Sequence, residues 1–305
     1  MSTPNNETPP VCDYEGSTYQ ATFWDQGGRA YEDGAERVAL RRLLPPSGKL
    51  MLEVGAGAGR NTPRYKGFER VVVMDYSVTQ LEQAQERLGQ SEAYVYVAAD
   101  VYKLPFRPGL FDAATMIRVL HHMAEPQAAL HQIRQTLQPD AVFILEFANK
   151  LNLKALFRYW LGRQDWSPFE LEPVEYIPLN FDFHPKAIRQ WLKEEQYVVQ
   201  RHLTVSHFRI NVLKRLVPTR LLVWLDSLAQ LTGNLWQLSP SVFVRSQAVG
   251  QEPPAANLLD ADESEFFICP ECRQPLAAPQ EDGFTCSCGL RWGKQNGIYN
   301  FKQPL

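Results

Sequence analysis

The segment LMLEVGAGAGRNT, residues 50–62, constrains the fold of this chain more than any other stretch. A short apolar run leads into glycines that alternate with alanines, and glycine allows the tight turn and close backbone approach that nucleotides need. Arg60 stands where the dinucleotide fingerprint G-x-G-x-x-G would place its third glycine. Glu53 puts a carboxylate where a pyrophosphate would be repelled but a cationic or amine-bearing ligand would not. The segment therefore predicts a strand and a loop that cradle a nucleoside-bearing cofactor other than a dinucleotide.

Short apolar runs alternate with helical patterns through the first half of the chain. A helix is expected from Tyr19 to Leu44, before the breakers Pro45-Pro46-Ser47-Gly48. The spacing then predicts strands at Leu50–Val54, Val71–Met74, Tyr94–Ala98, Ala113–Ile117 and Ala141–Phe147, and helices at 77–88 and Pro126–Leu137. This alternation is typical of an α/β fold with a Rossmann-like, mostly parallel sheet and helices on both faces.

Two acidic residues follow the second and third predicted strands. Asp75 ends VVVMD, 22 residues after Glu53, and its carboxylate can accept both ribose hydroxyls. Asp100 ends the third strand and can accept a hydrogen bond from the exocyclic amine of adenine, beside the backbone of Val101. Because the carboxyl ends of parallel strands meet at one edge of the sheet, these residues are expected around one cofactor.

At these residues the chain resembles the class I S-adenosylmethionine-dependent methyltransferases, especially the small-molecule subgroup, over about residues 35–150. The resemblance implies a methyl transfer from S-adenosylmethionine. Glu53 would orient the amino-acid end of the cofactor, and Ile117 and Arg118 would border the site of methyl transfer. The cofactor-binding residues that the resemblance implies are Glu53, Gly55, Ala56, Gly57, Asp75, Tyr76, Asp100, Val101 and Ile117.

Two histidines follow the fourth predicted strand, near the place of an acceptor. His122 is a candidate general base, needed only if the acceptor must lose a proton. His121 is interpreted as a structural residue bonded to backbone within the turn.

The N-terminal leader, residues 1–34, crowds aromatic residues around Arg29 before the first strand. The related enzymes often have a lid over the cofactor here, and Arg29 would then pair with the cofactor carboxylate. Plain packing of the aromatic residues is the alternative interpretation.

Four cysteines cluster near the end of the chain as C-P-E-C and C-S-C-G, thirteen residues apart. Tight cysteine pairs suit a structural zinc ribbon, although C-x-C is less usual than C-x-x-C, and reduced thiols without metal are the alternative. The predicted zinc ligands are Cys269, Cys272, Cys286 and Cys288. The segment also resembles small zinc-ribbon proteins that bind and activate methyltransferases. A fused copy would stabilise the enzyme or recruit a substrate.

The remaining domain boundaries are predicted from the composition and the hydrophobic pattern of the chain. Residues 151–248 form a helical acceptor-binding region that completes the sheet, with helices at 152–162, 185–195 and 209–232, the last interrupted at Pro218. Residues 249–263 are a Pro-, Ala- and acid-rich linker, and 264–305 are the ribbon.

The acceptor is not identified by these patterns. A small molecule, such as a quinone, lipid-like compound or secondary metabolite, is favoured over RNA or protein. An apolar acceptor is suggested by the aromatic residues of the middle region, namely Phe157, Tyr159, Trp160, Trp166, Phe169 and Trp191. The rivals are a non-catalytic scaffold that keeps the cofactor fold and a nicotinamide oxidoreductase.

Charge and hydropathy narrow the class of protein further. A formal net charge of −3 argues against a dedicated nucleic-acid binder. The N-terminus lacks the charged-then-apolar pattern of a secretory signal, and the apolar stretch 216–231 is too short and too charged to span a bilayer. These features predict a cytoplasmic protein.

Overall fold

A ten-stranded sheet organises the computed structural model, which describes residues 9–18, 20–250, 261–277 and 283–305. The strands of the first half are β1 (Gly48–Val54), β2 (Phe68–Asp75), β3 (Tyr94–Ala98), β4 (Phe111–Met116) and β5 (Leu137–Ala148). The later strands are β6 (Val174–Ile177), β7 (Asn180–Asp182), β8 (Tyr197–Val205), β9 (Ser241–Ala248), β10 (Gly283–Thr285), β11 (Arg291–Gln295) and β12 (Ile298–Asn300). Strands β6 and β7 pair as a separate hairpin.

Seven α-helices accompany the sheet in the described part of the chain. They are α1 (Ala30–Leu43), α2 (Val78–Leu88), α3 (Pro126–Thr136), α4 (Leu153–Trp160), α5 (Pro185–Glu194), α6 (Asn211–Leu216) and α7 (Thr219–Ala229). Shorter helical turns occur at Gln20–Asp25, Thr62–Arg64, Val101–Lys103, Leu120–His122, Gln230–Asn234 and Glu263–Glu265.

The strand order across the sheet is β10-β11-β12-β3-β2-β1-β4-β5-β9-β8. The six strands from β12 to β5 run parallel, and antiparallel strands flank them at both edges. The chain order reverses between β1 and β4, which is the point where open α/β sheets bind ligands.

Helices cover both faces of the sheet, as the sequence predicts. Along β2, Val72 and Met74 join a core that includes residues of α3 and α5, whereas Val71 and Val73 join a core with α2. A third core holds apolar residues of α1 and α7. Alternate side chains of a strand point to opposite faces, so the parallel strands are buried on both sides.

One helix boundary differs from the sequence prediction. Helix α1 begins at Ala30 rather than Tyr19, because the turn at residues 26–28 contains Gly28 with φ 65° and separates it from the turn at Gln20–Asp25. The predicted break at Pro218 divides α6 from α7. Strands β8 and β9, in the region predicted as helical, complete the sheet.

The cysteine-bearing segment is continuous with the main sheet and core. Strand β12 pairs in parallel with β3, and Phe267, Phe284 and Phe301 belong to the same apolar cluster as β1 and β4. The sequence predicted a separate module with a poor core of its own. Its aromatic residues instead fill the main core, so the segment is an edge of the larger domain. Most of the predicted linker, residues 251–260, lies outside the described residues.

In the described ranges, every helix is too short or too polar to cross a bilayer.

Candidate functional site

A cleft opens at the carboxyl ends of β1, β2 and β4, where the strand order reverses. Its empty space is about 940 Å³, including the open mouth. Of the predicted cofactor-binding residues, seven line this cleft: Gly55, Ala56, Gly57, Asp75, Tyr76, Val101 and Ile117. The structure thus brings together residues from four separate strand ends.

The loop after β1 requires glycine at two positions. Gly55 has φ 68°, and a Cβ atom there would lie 2.2 Å from Cγ2 of Val119. Gly57 has φ 54°, and its N–H donates to Oδ2 of Asp75 at 2.7 Å. Side chains are strained in this left-handed region, so the glycines keep the floor of the cleft open.

Asp75 ties the first two strand ends together. Its Oδ2 accepts from the Gly57 N–H, and its Oδ1 accepts from the Ser77 N–H at 2.9 Å. Burial raises the pKa of this carboxyl, and the backbone donors counteract it. Asp75 lines the cleft, and its contact with the ribose hydroxyls stays a prediction.

The C-terminal segment also reaches this wall. The ammonium group of Lys302 lies 4.2 Å from the ring centroid of Tyr76, which lines the cleft. Its Nζ also lies 3.5 Å from Oε2 of Glu15, in the leader. The leader, the β2 end and the C-terminus therefore meet beside the cleft.

Asp100 and Val101 line different cavities in the structure. Val101 lines the cleft, whereas Asp100 lines a neighbouring pocket that it shares with Tyr76 and Lys103. Oδ1 of Asp100 accepts from the Tyr102 N–H at 2.9 Å and caps the turn Val101–Lys103. Capping is the structural alternative to a role in ligand binding. The adenine contact of Asp100 stays a prediction.

Glu53 lies beneath the glycine loop, outside the lining of the cleft. Its carboxyl accepts from the hydroxyl of Thr62 at 2.6 Å and that of Tyr65 at 3.2 Å. Burial raises the pKa of Glu53 to about 7, which the two hydroxyl donors oppose. The side chain braces the loop against the turn that follows it, and its effect on a ligand would be indirect.

The described part of the leader covers the cleft. Val11, Cys12, Tyr14 and Trp24 all line it. Glu15 anchors this segment, because its carboxylate accepts from the backbone N–H groups that begin α2. A lid role for this segment stays a prediction.

Arg29, the predicted partner of the cofactor carboxylate, lies outside the cleft lining. Its Nη1 lies 3.4 Å from Oε1 of Glu32, and its guanidinium lies 4.2 Å from the ring centroid of Phe23. These neighbours account for its charge, and the cleft contains two other arginines, Arg60 and Arg118. The assignment of Arg29 to the cofactor is thus not supported by its position.

An ionic network behind the cleft was missed in the sequence. Glu36 of α1 is fully buried, with Oε2 at 2.7 Å from Nη2 of Arg60 and Oε1 at 2.5 Å from Nη2 of Arg118. Burial alone would raise the pKa of Glu36, but the two arginines outweigh it and lower the pKa. The recurrence of acids three and four residues apart in α1, at Glu32, Asp33 and Glu36, was the available sequence signal.

The side chain of Arg60 lines the cleft. Its Nη1 lies 2.6 Å from Oδ1 of Asp33, and its guanidinium lies 3.5 Å from the ring centroid of Trp24. Arg118, at the end of β4, has φ 61° and donates its backbone N–H to Glu146 at 2.9 Å. Non-glycine residues rarely adopt this conformation, and it turns the guanidinium back toward Glu36.

A second, polar cavity adjoins the cleft, and we name it the polar chamber. Tyr14, Arg118 and His122 line both cavities. The chamber is completed by residues of the leader, of the turn after β4, of β5 and of the middle region, namely Phe23, His121, Glu146, Ala148, Asn152, Tyr176, Asn180, Asp182, Arg209, Pro240 and Ser241.

His122 lies at the junction of the two cavities. Its Nδ1 lies 3.0 Å from the carbonyl oxygen of Leu179 and must be the protonated nitrogen, because a carbonyl only accepts. Its Nε2 is then the acceptor of a hydrogen bond from the hydroxyl of Tyr14, at 3.1 Å. Burial lowers the pKa of His122, and the hydrogen bond with Leu179 opposes this effect.

The ring of His121 contacts that of His122, with centroids 4.0 Å apart and the ring planes tilted by 44°. Burial lowers its pKa well below 6.5, and the nearby His122 and Arg118 add to that effect. The predicted backbone bond is not found at Nδ1, which has no partner among the described residues.

The polar chamber carries charge that the sequence did not predict. Burial raises the pKa of Glu146, and it raises that of Asp182 to about 6, against the opposing effect of Arg209. None of the six aromatic residues that suggested an apolar acceptor lines this chamber. Several are exposed instead, including Phe157 and Trp160.

The four clustered cysteines converge as predicted, with all four sulfur atoms within 4.8 Å of one another. The Sγ atoms of Cys269 and Cys288 are 3.9 Å apart, and those of Cys272 and Cys286 are 3.3 Å apart. A tetrahedron with Zn–S bonds of about 2.3 Å has S···S edges of roughly 3.8 Å, so the donor set fits one metal ion. The C-x-C spacing does not prevent the convergence.

The fold and the cleft define a nucleoside-binding α/β enzyme of the class I methyltransferase type. A family model described as a methyltransferase domain matches residues 52–145. The 2-phytyl-1,4-naphtoquinone methyltransferase of Nostoc punctiforme is 31% identical over 191 residues, which cover 57% of this chain and 81% of that protein. The chain belongs to the S-adenosylmethionine-dependent methyltransferases.

Other relatives match over less of their length. The demethylmenaquinone methyltransferase of Clavibacter sepedonicus is 32% identical over 52% of this chain and 66% of its own. The chain spans between about two fifths and two thirds of the first curated relatives that it matches.

Two solved structures share the fold at low sequence identity. One is a complex that contains the Haloferax volcanii Trm112 methyltransferase activator, with a TM-score of 0.54 and 15% identity over 76% of this chain and 96% of that one. The other is an S-adenosylmethionine dependent methyltransferase from Mesorhizobium loti, with a TM-score of 0.51 and 18% identity over 70% and 97%.

Proposed function

We propose that this protein transfers a methyl group from S-adenosylmethionine to a small acceptor that binds in the polar chamber. The observation that carries the proposal is the position of His122, which lines both the cofactor cleft and the chamber. A methyl donor in one cavity and an acceptor in the other would meet beside this ring. Such placement of the two reactants supplies most of the rate of a displacement reaction.

The cofactor would lie across the strand ends. Asp75 would accept the ribose hydroxyls, Tyr76 and Val101 would border the adenine, and Gly55 would pass under the methionine portion. Arg60, rather than Arg29, would attract the cofactor carboxylate, because Arg60 lines the cleft and Arg29 does not.

The acceptor would present a polar, ionisable head. The chamber lining of Arg118, Arg209, Glu146 and Asp182 favours hydroxyl, enol or phenol groups over a wholly apolar molecule. Two relatives are named for naphthoquinone and demethylmenaquinone substrates, which reduce to ring hydroxyls. We therefore infer an acceptor of the hydroxylated quinol class.

Bound S-adenosylmethionine supplies an electrophilic methyl group on a sulfonium. On transfer, the acceptor atom would bond to the methyl carbon as the carbon–sulfur bond breaks, and that electron pair would stay on sulfur. Nε2 of His122, which accepts from the Tyr14 hydroxyl, would take the acceptor proton once an acceptor hydroxyl replaces that of Tyr14, while Leu179 holds Nδ1–H. The hydroxyl of Tyr14, now 3.1 Å from Nε2, marks where an acceptor hydroxyl would bind.

Zinc would be structural rather than catalytic. The four thiolates Cys269, Cys272, Cys286 and Cys288 fill a tetrahedron and leave no open position. The cluster contributes to the edge of the sheet through β10 to β12 and would stabilise that edge. The C-terminus in turn borders the cofactor cleft through Lys302 and Tyr76.

The proposal is tested with radiolabelled S-adenosylmethionine and a fractionated cell extract, followed by purified quinols. Label is expected in a small, extractable acceptor, and His122→Gln should reduce its incorporation while S-adenosylhomocysteine still binds. Label in RNA or protein would contradict the small-molecule acceptor. Binding without transfer to any fraction would indicate a scaffold, and tight binding of a nicotinamide dinucleotide instead would overturn the cofactor assignment.

A further inference from the structure

Exposed apolar side chains are concentrated in one part of the chain. The described residues expose 19 large apolar side chains, and all but Leu305 lie between Leu153 and Trp236. Single exposed apolar residues are ordinary, but a concentration of this kind marks an interaction surface.

Helix α7 has two apolar faces. Leu222 is buried toward α1, whereas Leu221, Trp224 and Leu228 are 45%, 57% and 50% exposed. The spacing of these three, at i, i+3 and i+7, places them on one stripe that faces away from the protein. The helix therefore carries an apolar stripe that the rest of the described chain leaves uncovered.

The stripe continues on neighbouring elements. Val212 and Leu216, one turn apart on α6, are 62% and 77% exposed. Trp236, after the helical turn that follows α7, is 55% exposed. We name the outward side chains of α6, of α7 and of Trp236 the apolar stripe.

Positive charge accompanies the apolar stripe. Residues 206–240 contain four basic residues, of which Arg209 and Lys214 lie beside Glu32 of α1. Their one acid, Asp226, is buried and bonded to Tyr31 and Gln230. Arg215 and Arg220 are exposed, and neither makes an ion pair within the ranges that the structure describes. These cations stand out in a chain of net charge −3.

Tryptophan and leucine on one helix face, beside arginines, are typical of helices that lie in a membrane interface. The apolar side chains enter the headgroup boundary, and the cations attract anionic lipids. A second copy of the chain is a less suitable partner for the stripe than a lipid surface. A two-fold contact through the stripe would bring the arginines of the two copies together.

We propose that the apolar stripe docks this protein on the surface of an anionic membrane. The occupant is a lipid headgroup layer, in which α6 and α7 lie flat. Docking places the polar chamber near lipid, because Arg209 and Tyr176 line the chamber, and Arg209 lies two residues before α6. An amphipathic acceptor would then reach the chamber from the membrane. That last step rests on the proposed function, whereas docking itself does not.

The test is flotation of the full chain with lipid vesicles. Vesicles of phosphatidylcholine with about one third phosphatidylglycerol are compared with pure phosphatidylcholine, at low and high salt. Binding is expected only to the anionic vesicles and should weaken with salt. Trp224→Ser combined with Leu228→Ser should reduce the bound fraction at least tenfold, and Arg215→Glu combined with Arg220→Glu should do the same.

Two controls match these variants. Leu305→Ser removes an apolar side chain that is 75% exposed at the other end of the sheet, and it should leave vesicle binding unchanged. Lys186→Glu combined with Lys193→Glu reverses two exposed charges on α5, which packs on the opposite face from α7. It should weaken binding far less than the arginine pair.

Three results would overturn the docking proposal. They are no preference for anionic vesicles, equal loss in the control variants, and a dimer in sedimentation that Trp224→Ser dissociates, since the stripe would then cover a second copy. S-adenosylhomocysteine binding is measured on the same samples. Intact binding there with no flotation would reject docking and leave the proposed function standing.

Discussion

The hydroxyl of Tyr14 lies 3.1 Å from Nε2 of His122 and joins the leader to the turn that follows β4. The two residues are 108 positions apart in the chain. The carbonyl oxygen of Leu179, 3.0 Å from Nδ1, fixes the ring from its other side. His122 is thus held with one nitrogen protonated and the other directed toward the place where cofactor and acceptor would meet.

Replacement of His122 by Gln should lower kcat by about 10²–10⁴, the contribution of a positioned general base. The affinity for S-adenosylhomocysteine should stay within about threefold, because the cleft has many other contacts. Single-turnover kinetics and calorimetry measure the two effects. Tyr14→Phe is the matched control, since it removes the partner hydroxyl and leaves the base. Unchanged turnover in His122→Gln would exclude the base role.

Asp75→Asn should weaken S-adenosylhomocysteine binding by at least about 2 kcal/mol, some thirtyfold, because charge-assisted hydrogen bonds to the ribose are lost. Asp100→Asn provides the control from the same sequence pattern. Its carboxylate lies in the neighbouring pocket, so calorimetry should show a much smaller loss. Equal losses of affinity in the two variants would support the adenine contact predicted for Asp100.

The difference between these two aspartates shows what a sequence pattern can predict. Strand order and the alternation of apolar residues place Asp75 and Asp100 at neighbouring strand ends, and this was correct. Whether each side chain points into the cleft depends on the local turn. The turn Val101–Lys103 takes the Asp100 carboxylate as its cap, which spacing alone does not reveal.

The ionic network of Glu36 should be a large source of stability. Glu36→Gln removes the buried carboxylate that pairs with both Arg60 and Arg118, although Arg60 keeps its pair with Asp33. Removal of one partner of a buried pair costs about 3–5 kcal/mol. Urea unfolding measures this loss of unfolding free energy, and the slope of that free energy against urea concentration should be the same in both chains. Arg37→Gln is the control, because the Arg37 side chain is 67% exposed, and its pair with Asp33 should contribute less than about 0.5 kcal/mol. A loss below 1 kcal/mol for Glu36→Gln would mean that water or a ligand satisfies the arginines.

The Glu36 network and the polar chamber could not be predicted from sequence, for a common reason. Each joins residues that are distant in the chain, such as Glu36 with Arg118 or Tyr14 with His122. Local periodicity fixes which face of an element is buried, but it does not specify which charged residue of another element meets it. The aromatic residues of the middle region do not line the chamber, and four of the six, Phe157, Tyr159, Trp160 and Phe169, are exposed.

Cys288→Ser should abolish the binding of one zinc ion per chain. Elemental analysis measures the metal, and thermal unfolding should show a midpoint lower by several degrees, because β12 is paired with β3 of the main sheet. Cys12→Ser is the control, since Cys12 lies outside the cluster and should leave the zinc content at one. A chain without zinc that unfolds at the same temperature in chelator would contradict the structural role.

Glu53 should give the stability a distinctive dependence on pH. Its pKa in the folded state is about 7, above the 4.5 of an ordinary Glu, so the folded state binds more protons between these two values. The group therefore favours the folded state fully below pH 4.5, and this contribution is lost as the pH rises toward 7. Across that window, the loss amounts to about 3 kcal/mol.

Glu53→Gln removes this titration and keeps a side chain that can bond Thr62 and Tyr65. The variant should gain stability relative to the native chain as the pH rises from 4.5 to 7, and the difference should level off beyond. Urea unfolding at several pH values measures it. The difference between the two chains is the useful quantity, because burial lowers the pKa of His121 and His122 and makes the native profile rise in an overlapping window. Glu69→Gln, at an exposed position of β2, controls for the loss of a carboxylate. A difference independent of pH would show that Glu53 is ionised throughout and braces the loop as a carboxylate.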